Sequence, residues 1–167
     1  MAKKEKEIKT NAMRILERNK IPFEAMTYEC DEFTDGMQTA RILGIEPELM
    51  DKTLVTVGKS KANYVFVIPI AEEIDFKKAA KAVGEKSLEM LHLKDLTAVT
   101  GYVRGGCTSI GMKKQFPTVI NDTALSLKQM IVSGGKIGLQ LQLAPEDLAK
   151  AANAVFADVI SHTCLLY

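Results

Sequence analysis

Apolar residues recur at helical spacing, three and four positions apart, in five segments of this chain. Residues that favour helix ends bound several of these segments. Asp75 is placed to cap one of them, Gly44 and Gly84 are placed to end two, and Pro145 suits the first turn of another. The pattern predicts helices over residues 7–19, 35–43, 76–83, 94–100 and 145–154.

Shorter runs rich in β-branched and aromatic residues predict eight strands. Residues 63–70 are apolar at nearly every position, which indicates a central strand covered on both faces. Residues 138–143 alternate instead, so the leucines are expected to point inward and Gln140 and Gln142 to point to solvent. The predicted strands cover residues 22–28, 52–57, 63–70, 87–91, 118–120, 129–133, 138–143 and 156–160.

Strands dominate the middle of the chain, and helices flank them. Residues 58–61 form a turn signal between two strands, and the Gly-Gly pair at 134–135 forms another, so at least two hairpins are expected. We therefore predict an α+β (mixed α/β) fold in which a single domain covers residues 1–167. Its mixed or antiparallel sheet is expected to curl into a partly open barrel, with the helices packed outside.

Charge and composition narrow the classes of function. The chain has 22 Lys and Arg against 21 Asp and Glu, which gives a formal net charge of +1. This balance argues against a protein that coats DNA or RNA and leaves room for a local contact with nucleic acid. The sequence has no recognisable signal peptide and no apolar run long enough to span a membrane, so we expect a cytoplasmic protein without a DNA or membrane partner.

Cysteine and histidine positions predict neither a metal site nor a cofactor. Cys30, Cys107 and Cys164 form no CxxC pair, and only His92 and His162 accompany them. Zinc ligation needs closer spacing than this, and an odd number of cysteines fits a reducing compartment. The last four residues, which begin at Cys164, formally match a prenylation box. Tyrosine is an unusual final residue for such a box, so we expect an apolar tail that packs on the fold.

Three segments carry candidate chemistry. Lys52 stands at the start of a predicted strand, where an ammonium group could grip a phosphate or a ribose hydroxyl; the alternative is a solvated lysine paired with Asp51. Residues 100–111 contain four glycines, so this loop could aim backbone N–H groups at a carbonyl oxygen or phosphate, or serve only as a connection. Ser133 precedes two glycines and Lys136, which suits a phosphate site or a hairpin turn.

Cys107 lies in the glycine-rich loop and is a candidate nucleophile, since a thiolate near Arg104 would be reactive. No histidine is close in sequence to activate the thiol, so a filler residue is the simpler interpretation. The sequence also contains no Ser-His-Asp order, GxSxG elbow, P-loop or HExxH motif. Any catalysis by this chain is therefore expected to proceed without an ordinary triad or a metal.

Six segments occur in the order seen in the YbaK/EbsC family and together cover roughly residues 13–158. They read DKTLV, DFKKAAKAVG, TGYVRGG, GMKKQFPTVIND, IVSGGKIGL and LAPEDL. The chain thus resembles this family, which is similar to the editing domain inserted in bacterial prolyl-tRNA synthetases. The resemblance implies a barrel-like mixed α/β fold. It also implies a trans-acting aminoacyl-tRNA deacylase that hydrolyses Cys-tRNA(Pro), with Cys-tRNA(Cys) as an alternative substrate.

The resemblance also assigns roles to individual residues. Lys52 and Gly105 take the catalytic positions: the Lys52 ammonium holds a phosphate or hydroxyl of the terminal adenosine, and the Gly105 backbone faces the substrate carbonyl. The substrate-binding positions are Tyr28, Thr53, Gly106 and Ser133. The implied partners are the acceptor end of charged tRNA-Pro and prolyl-tRNA synthetase, and no cofactor is implied.

Two further expectations concern mechanism. In family members that clear cysteine, the substrate thiol is thought to attack its own ester carbonyl, which would explain why no protein nucleophile is visible. Ser109 stands where family members commonly carry a proline, so the loop should be less rigid and the specificity of the pocket altered. This departure leaves a second interpretation open, in which the chain is a non-catalytic binding module for aminoacyl-tRNA or a nucleotide and regulates a partner.

Overall fold

Five α-helices and eight β-strands make up the described part of the chain, which in this computed structural model comprises residues 9–29 and 35–161. The helices are α1 (Asn11–Arg18), α2 (Gly36–Leu43), α3 (Phe76–Val83), α4 (Leu96–Thr100) and α5 (Pro145–Ala152). The strands are β1 (Glu24–Thr27), β2 (Asp51–Gly58), β3 (Asn63–Pro69), β4 (Leu88–Met90), β5 (Thr118–Asn121), β6 (Met130–Ser133), β7 (Leu139–Leu143) and β8 (Ala154–Ala157). Their order confirms the α+β class.

Helix ends are set by capping residues. The side chains of Thr10, Asp35 and Asp75 accept hydrogen bonds from backbone N–H groups in the first turns of α1, α2 and α3, respectively. Gly44 and Gly84 follow α2 and α3 in the left-handed conformation, which releases the chain from the helix. The local chemistry of these residues therefore explains why their helices begin and end where they do.

Several element boundaries differ from the sequence-based prediction by a few residues, and two of them have a clear local cause. The last strand is predicted over residues 156–160, whereas β8 already begins at Ala154. Asn153 has a φ of 55°, so this left-handed residue ends α5 and turns the chain directly into the strand. Helix α1 begins at Asn11 because Thr10 caps it; residue 7, where the prediction starts this helix, lies outside the described residues.

The strands lie in two sheets. One has the order β1-β7-β6 and is antiparallel throughout. The other has the order β4-β2-β3-β5-β8; its pairs with β2 are antiparallel, and β3-β5 and β5-β8 are parallel. Both predicted hairpins, β2-β3 and β6-β7, are present, and the prediction of a mixed sheet is confirmed for the larger of the two.

The prediction of a partly open barrel is not confirmed. Within residues 9–29 and 35–161 the two sheets form no closed barrel, and the ladder between them is reduced to one isolated parallel bridge from Met50 to Ile131. We call this contact between the end of the loop before β2 and strand β6 the seam. The seam joins the two sheets at one edge, and their remaining contact is through side chains.

Strand β3 is covered on both faces, as its continuous apolar run predicts. On one face Val67 joins a core that contains residues of β5, β6, β7, α1 and α5, including Leu141 and Leu148. On the other face Phe66 and Ile68 pack with residues of α3. Because the sheet is fixed from both sides, its edge at the start of β2 is held in a defined position.

One side-chain orientation was predicted wrongly. Gln140 was expected to point to solvent from β7, but only 6% of its surface is exposed. Leu139, Leu141 and Leu143 face the core as predicted, and the opposite face of β7 turns toward a cavity instead of solvent at Gln140. No helix in the described residues is long and apolar enough to cross a membrane.

Candidate active site

The seam lies at a cavity that is lined by residues from distant parts of the chain. Met50 and Ile131 form a parallel bridge, and Lys52 and Ser133 each follow that bridge by two residues. Both residues line a cavity of about 460 Å³. A contact between residues about eighty positions apart in the chain thereby brings two sequence-predicted site residues together.

Four of the six predicted site residues line this cavity: Lys52, Thr53, Gly105 and Ser133. Tyr28 and Gly106 do not line it. Other lining groups include Asp51, Arg104, Cys107 and Gln140. The cavity therefore combines one face from β2, one from the β6-β7 hairpin, and one from the glycine-rich loop.

Lys52 is half-buried, and its side chain makes no hydrogen bond or ion pair with any described residue. The alternative in which Lys52 is a solvated lysine paired with Asp51 is wrong, because the two side chains form no ion pair. Consecutive residues of a strand point to opposite faces, which explains why they do not meet. The Lys52 ammonium keeps its three donors available to a ligand in the cavity.

The glycine-rich loop is held in shape by its own side chains. The Tyr102 hydroxyl donates a hydrogen bond of 2.6 Å to the Ile110 carbonyl, which closes the loop across its base. The Gly106 N–H donates to the Val103 carbonyl, which forms a tight turn around Gly105. Gly105 has a φ of 86°, a conformation that favours glycine, and among the described residues its N–H has no backbone acceptor. This N–H remains available for an oxygen atom in the cavity.

Gly106 has a packing role that the sequence did not reveal. A Cβ atom at this position would lie 2.7 Å from the Lys136 Cα atom, so only glycine lets the loop approach the β6-β7 turn. In that turn the Gly135 N–H donates to the Ser133 hydroxyl at 3.4 Å. Gly106 thus brings the loop that carries Gly105 next to Ser133.

Tyr28 lies behind the cavity wall instead of in it. The Gln140 Nε2 atom donates to the Tyr28 hydroxyl over 3.4 Å, and Gln140 itself lines the cavity. Gln140 is therefore a site residue that sequence reasoning missed. Its alternating strand pattern indicated a solvent-facing position, and only the assembly of the cavity reveals that this face is covered.

Cys107 lines the cavity, but its chemistry does not favour a nucleophile. Burial raises the pKa of the thiol to about 11, so the thiol is protonated at neutral pH. No histidine is among the residues that line the cavity. The described residues also contain no group of three His, Cys, Asp or Glu side chains that could hold a metal ion. These features favour the filler interpretation of Cys107.

Asp51 is the most unusual residue of the site, and the sequence analysis gave it no functional role. Its surface is 5% exposed, and neither carboxylate oxygen has a hydrogen-bond partner among the described residues. Burial raises the pKa of the Asp51 carboxyl to about 7. Buried carboxylates without a partner are destabilising, and they occur more often at functional sites than elsewhere.

Comparisons with known proteins identify the class of this site. Residues 34–151 match the model of the aminoacyl-tRNA editing domain. A protein of Enterococcus faecalis with the provisional name Cys-tRNA(Pro)/Cys-tRNA(Cys) deacylase EbsC is 49% identical over 160 residues, which cover 95% of this chain and 98% of that protein. The chain belongs to the aminoacyl-tRNA editing domain family, and its class of activity is that of an aminoacyl-tRNA deacylase. The resemblance to the YbaK/EbsC family is confirmed.

Solved structures show the same fold at lower identity. A structure described as a candidate trans-editing enzyme for prolyl-tRNA synthetase has a TM-score of 0.74 and 22% identity, with 83% of this chain and 87% of that chain covered. A hypothetical protein of known structure has a TM-score of 0.82 and 21% identity, with 91% and 100% covered. At this level of identity the likeness establishes the fold alone.

Replacement of Asp51 by asparagine should stabilise the protein at high pH. The folded-state pKa of about 7 exceeds the ordinary value of 3.8, so the folded protein binds the proton more tightly than the unfolded chain. The wild type therefore loses stability as pH rises from about 4 to about 7, by roughly 4 kcal/mol at most. We expect the stability advantage of Asp51→Asn, measured by urea unfolding, to grow between pH 4 and pH 8.

The matched control for this prediction is Asp122→Asn, which makes the same change at an exposed position. Its effect on the free energy of unfolding should vary little with pH. An advantage of Asp51→Asn that does not change with pH would contradict the account of the buried carboxyl.

Replacement of Ser109 by proline, the residue that family members commonly carry, should also stabilise the protein. The Ser109 hydroxyl is buried without a hydrogen-bond partner, and its N–H donates to no backbone carbonyl of the described residues. Proline would remove the hydroxyl and restrict the unfolded chain, which together contribute about 1 kcal/mol. We expect Ser109→Pro to raise Tm by about 2–4 °C.

Ser109→Ala separates the two contributions to this effect, because it removes the hydroxyl without adding rigidity. Its Tm should fall between those of the wild type and Ser109→Pro. A Ser109→Pro protein that melts below Ser109→Ala would show that the backbone at this position does not accept proline.

Proposed function

We propose that this chain is a trans-acting deacylase that releases cysteine from mischarged Cys-tRNA(Pro), with Cys-tRNA(Cys) as an alternative substrate. The observation that carries the proposal is the meeting of Lys52, Gly105 and Ser133 at one cavity that contains no activated protein nucleophile. The Enterococcus faecalis relative, named for activity on the same two substrates, supports the choice of amino acid and tRNA.

Lys52 serves in this proposal as the group that holds the end of the tRNA. Its ammonium is unpaired among the described residues and lines the cavity, so it can bind a phosphate or hydroxyl of the terminal adenosine. Thr53 and Ser133 line the same cavity and add hydroxyl groups to its polar lining. These groups position the ester and take no part in bond formation.

Gly105 serves as the oxyanion donor. Its positive φ directs the peptide so that the N–H, without a backbone acceptor among the described residues, can donate to the carbonyl oxygen of the ester. A fixed donor of this kind stabilises the negative charge that develops on the oxygen during attack. Gly106 supports this role because its close contact with the β6-β7 turn fixes the loop.

The substrate supplies the nucleophile in this proposal. The cysteine thiol attacks its own ester carbon, a new carbon–sulfur bond forms, and the bond from carbon to the ribose oxygen breaks. The ribose oxygen receives the proton that the thiol loses, and the four-membered thiolactone that is released is then opened by water. Correct positioning of the thiol and carbonyl is sufficient to accelerate such an intramolecular reaction by a large factor.

Substrate-assisted attack also accounts for selectivity. A pocket of fixed size separates proline, alanine and cysteine poorly, because differences of one small group contribute only about 1–3 kcal/mol. Neither alanine nor proline has a thiol, so neither can react even when it is bound. The near-neutral net charge suggests that affinity for tRNA is local to the acceptor end, and we propose that prolyl-tRNA synthetase in the cytoplasm helps to deliver the substrate.

Release of labelled amino acid from charged tRNA(Pro) tests the proposed substrate. We expect rapid release of cysteine and no release of alanine or proline beyond the rate without protein. Release of alanine at a similar rate would replace thiol attack with attack by water. Binding of charged tRNA without release of any amino acid, with or without prolyl-tRNA synthetase, would favour the non-catalytic binding module.

Substitution of Lys52 tests its role in positioning. We expect Lys52→Ala to lower kcat/KM for cysteine release by at least about 100-fold, the scale seen when a positioned electrostatic group is lost. At pH 6, where Asp51 is mostly protonated, its unfolding midpoint should stay close to that of the wild type, because the Lys52 side chain makes no hydrogen bond or ion pair with the described residues. Lys59→Ala, in the exposed β2-β3 turn, is the matched control and should retain full activity. A folded Lys52→Ala protein with normal activity would remove Lys52 from the mechanism.

A further inference from the structure

Asp51 lies in a wall between two cavities. It lines the cavity of about 460 Å³ described above and also a smaller one of about 250 Å³. Lys52, the next residue, lines only the larger one. The alternation of side chains along β2 agrees with this arrangement, since Asp51 and Lys52 extend from opposite faces of the strand.

The buried carboxyl of Asp51 does not stabilise the fold. Neither of its carboxylate oxygens is accessible or has a hydrogen-bond partner within the described residues. A residue that is kept at a cost to stability beside a catalytic group points to a function of its charge.

The charged surroundings restrict which group Asp51 can influence. In the larger cavity the titratable and charged lining groups are Asp35, Lys52, Arg104 and Cys107, and in the smaller cavity they are Glu48 and Glu72. Three of the other groups are acidic and one is a thiol. The two cationic groups are Arg104 on the loop and Lys52 on the same strand, and Lys52 is bonded directly to Asp51 through the backbone.

We infer that Asp51 is a positioning residue that acts through Lys52, as a buried counter-charge on the far side of the strand. Because the carboxylate forms no ion pair with the ammonium, it favours the charged ammonium beside β2 without occupying the donors that the substrate needs. This role rests on the proposed deacylase function of the same site. It separates two tasks that a direct ion pair would bring into conflict: holding the lysine in place and leaving it free to bind.

The effect of Asp51 should depend on pH. Burial raises the pKa of its carboxyl to about 7, so the counter-charge is largely absent at pH 6 and largely present at pH 8. Asparagine has nearly the same shape as the protonated carboxyl and stays neutral at every pH. The ratio of wild-type to Asp51→Asn rates therefore isolates the charge, because the ionisation of the substrate thiol affects both proteins equally.

The experiment measures cysteine release from Cys-tRNA(Pro) by the wild-type protein and by Asp51→Asn at pH 6 and pH 8. We expect a rate ratio close to one at pH 6 and about tenfold at pH 8, the size expected for one charge acting over a short distance at intermediate dielectric. A merely structural role would give the same ratio at both pH values. The Asp122→Asn control, at an exposed site outside both cavities, should give a ratio of one throughout.

Binding of Pro-tRNA(Pro), which has no thiol, is measured on the same proteins so that the two proposals can fail separately. A wild-type protein that releases no cysteine would contradict the deacylase function. The ratio of the dissociation constants of Asp51→Asn and the wild type for Pro-tRNA(Pro) would then decide the role of Asp51. Weaker binding by Asp51→Asn at pH 8 alone supports the counter-charge. Equal or tighter binding at pH 8, or a rate ratio that does not change with pH, overturns it.

Discussion

The parallel bridge between Met50 and Ile131 is the contact on which the site depends, because it is the only backbone link between the two described sheets. It fixes β2 and β6 side by side, and the cavity opens where both segments pass beyond it. Met50, Ile131, Ala40 and Ile70 are buried together at this point, so hydrophobic packing holds the seam that hydrogen bonds alone would leave weak. Lys52 and Ser133 each follow this bridge by two residues, and both line the cavity.

The second constraint is the close approach of the glycine-rich loop to the β6-β7 turn. Gly106 allows this approach because any larger residue would collide with the backbone of Lys136. The hydrogen bond from Tyr102 to Ile110 then limits the movement of the loop as a whole. Together these contacts hold Gly105 in the cavity lining. In the proposed mechanism the site therefore provides position and electrostatics, and bond formation is left to the substrate.

The sequence predicts most of the helices and strands and several residues of the cavity lining. The features that it does not predict share a physical cause. Periodicity and capping residues such as Asp75 and Gly84 located nearly every element, because these signals are local. The motif resemblance identified four residues that line the cavity. The errors at Gln140 and Asp51 concern burial by distant parts of the chain: each looks like an ordinary surface residue until β7 and β2 are assembled around the cavity. The predicted barrel is not confirmed, and strand order across the seam is a long-range property that local patterns do not determine.

The central claim is that the substrate thiol, and not water or a protein group, attacks the ester in this cavity. The most direct test compares Cys-tRNA(Pro) with tRNA(Pro) charged with 2-aminobutyrate, in which a methyl group replaces the thiol at nearly equal size. The account predicts rapid release of cysteine and release of 2-aminobutyrate at the rate without protein. Release of 2-aminobutyrate at a rate close to that of cysteine would contradict it, because the pocket would then hydrolyse an ester that carries no nucleophile of its own.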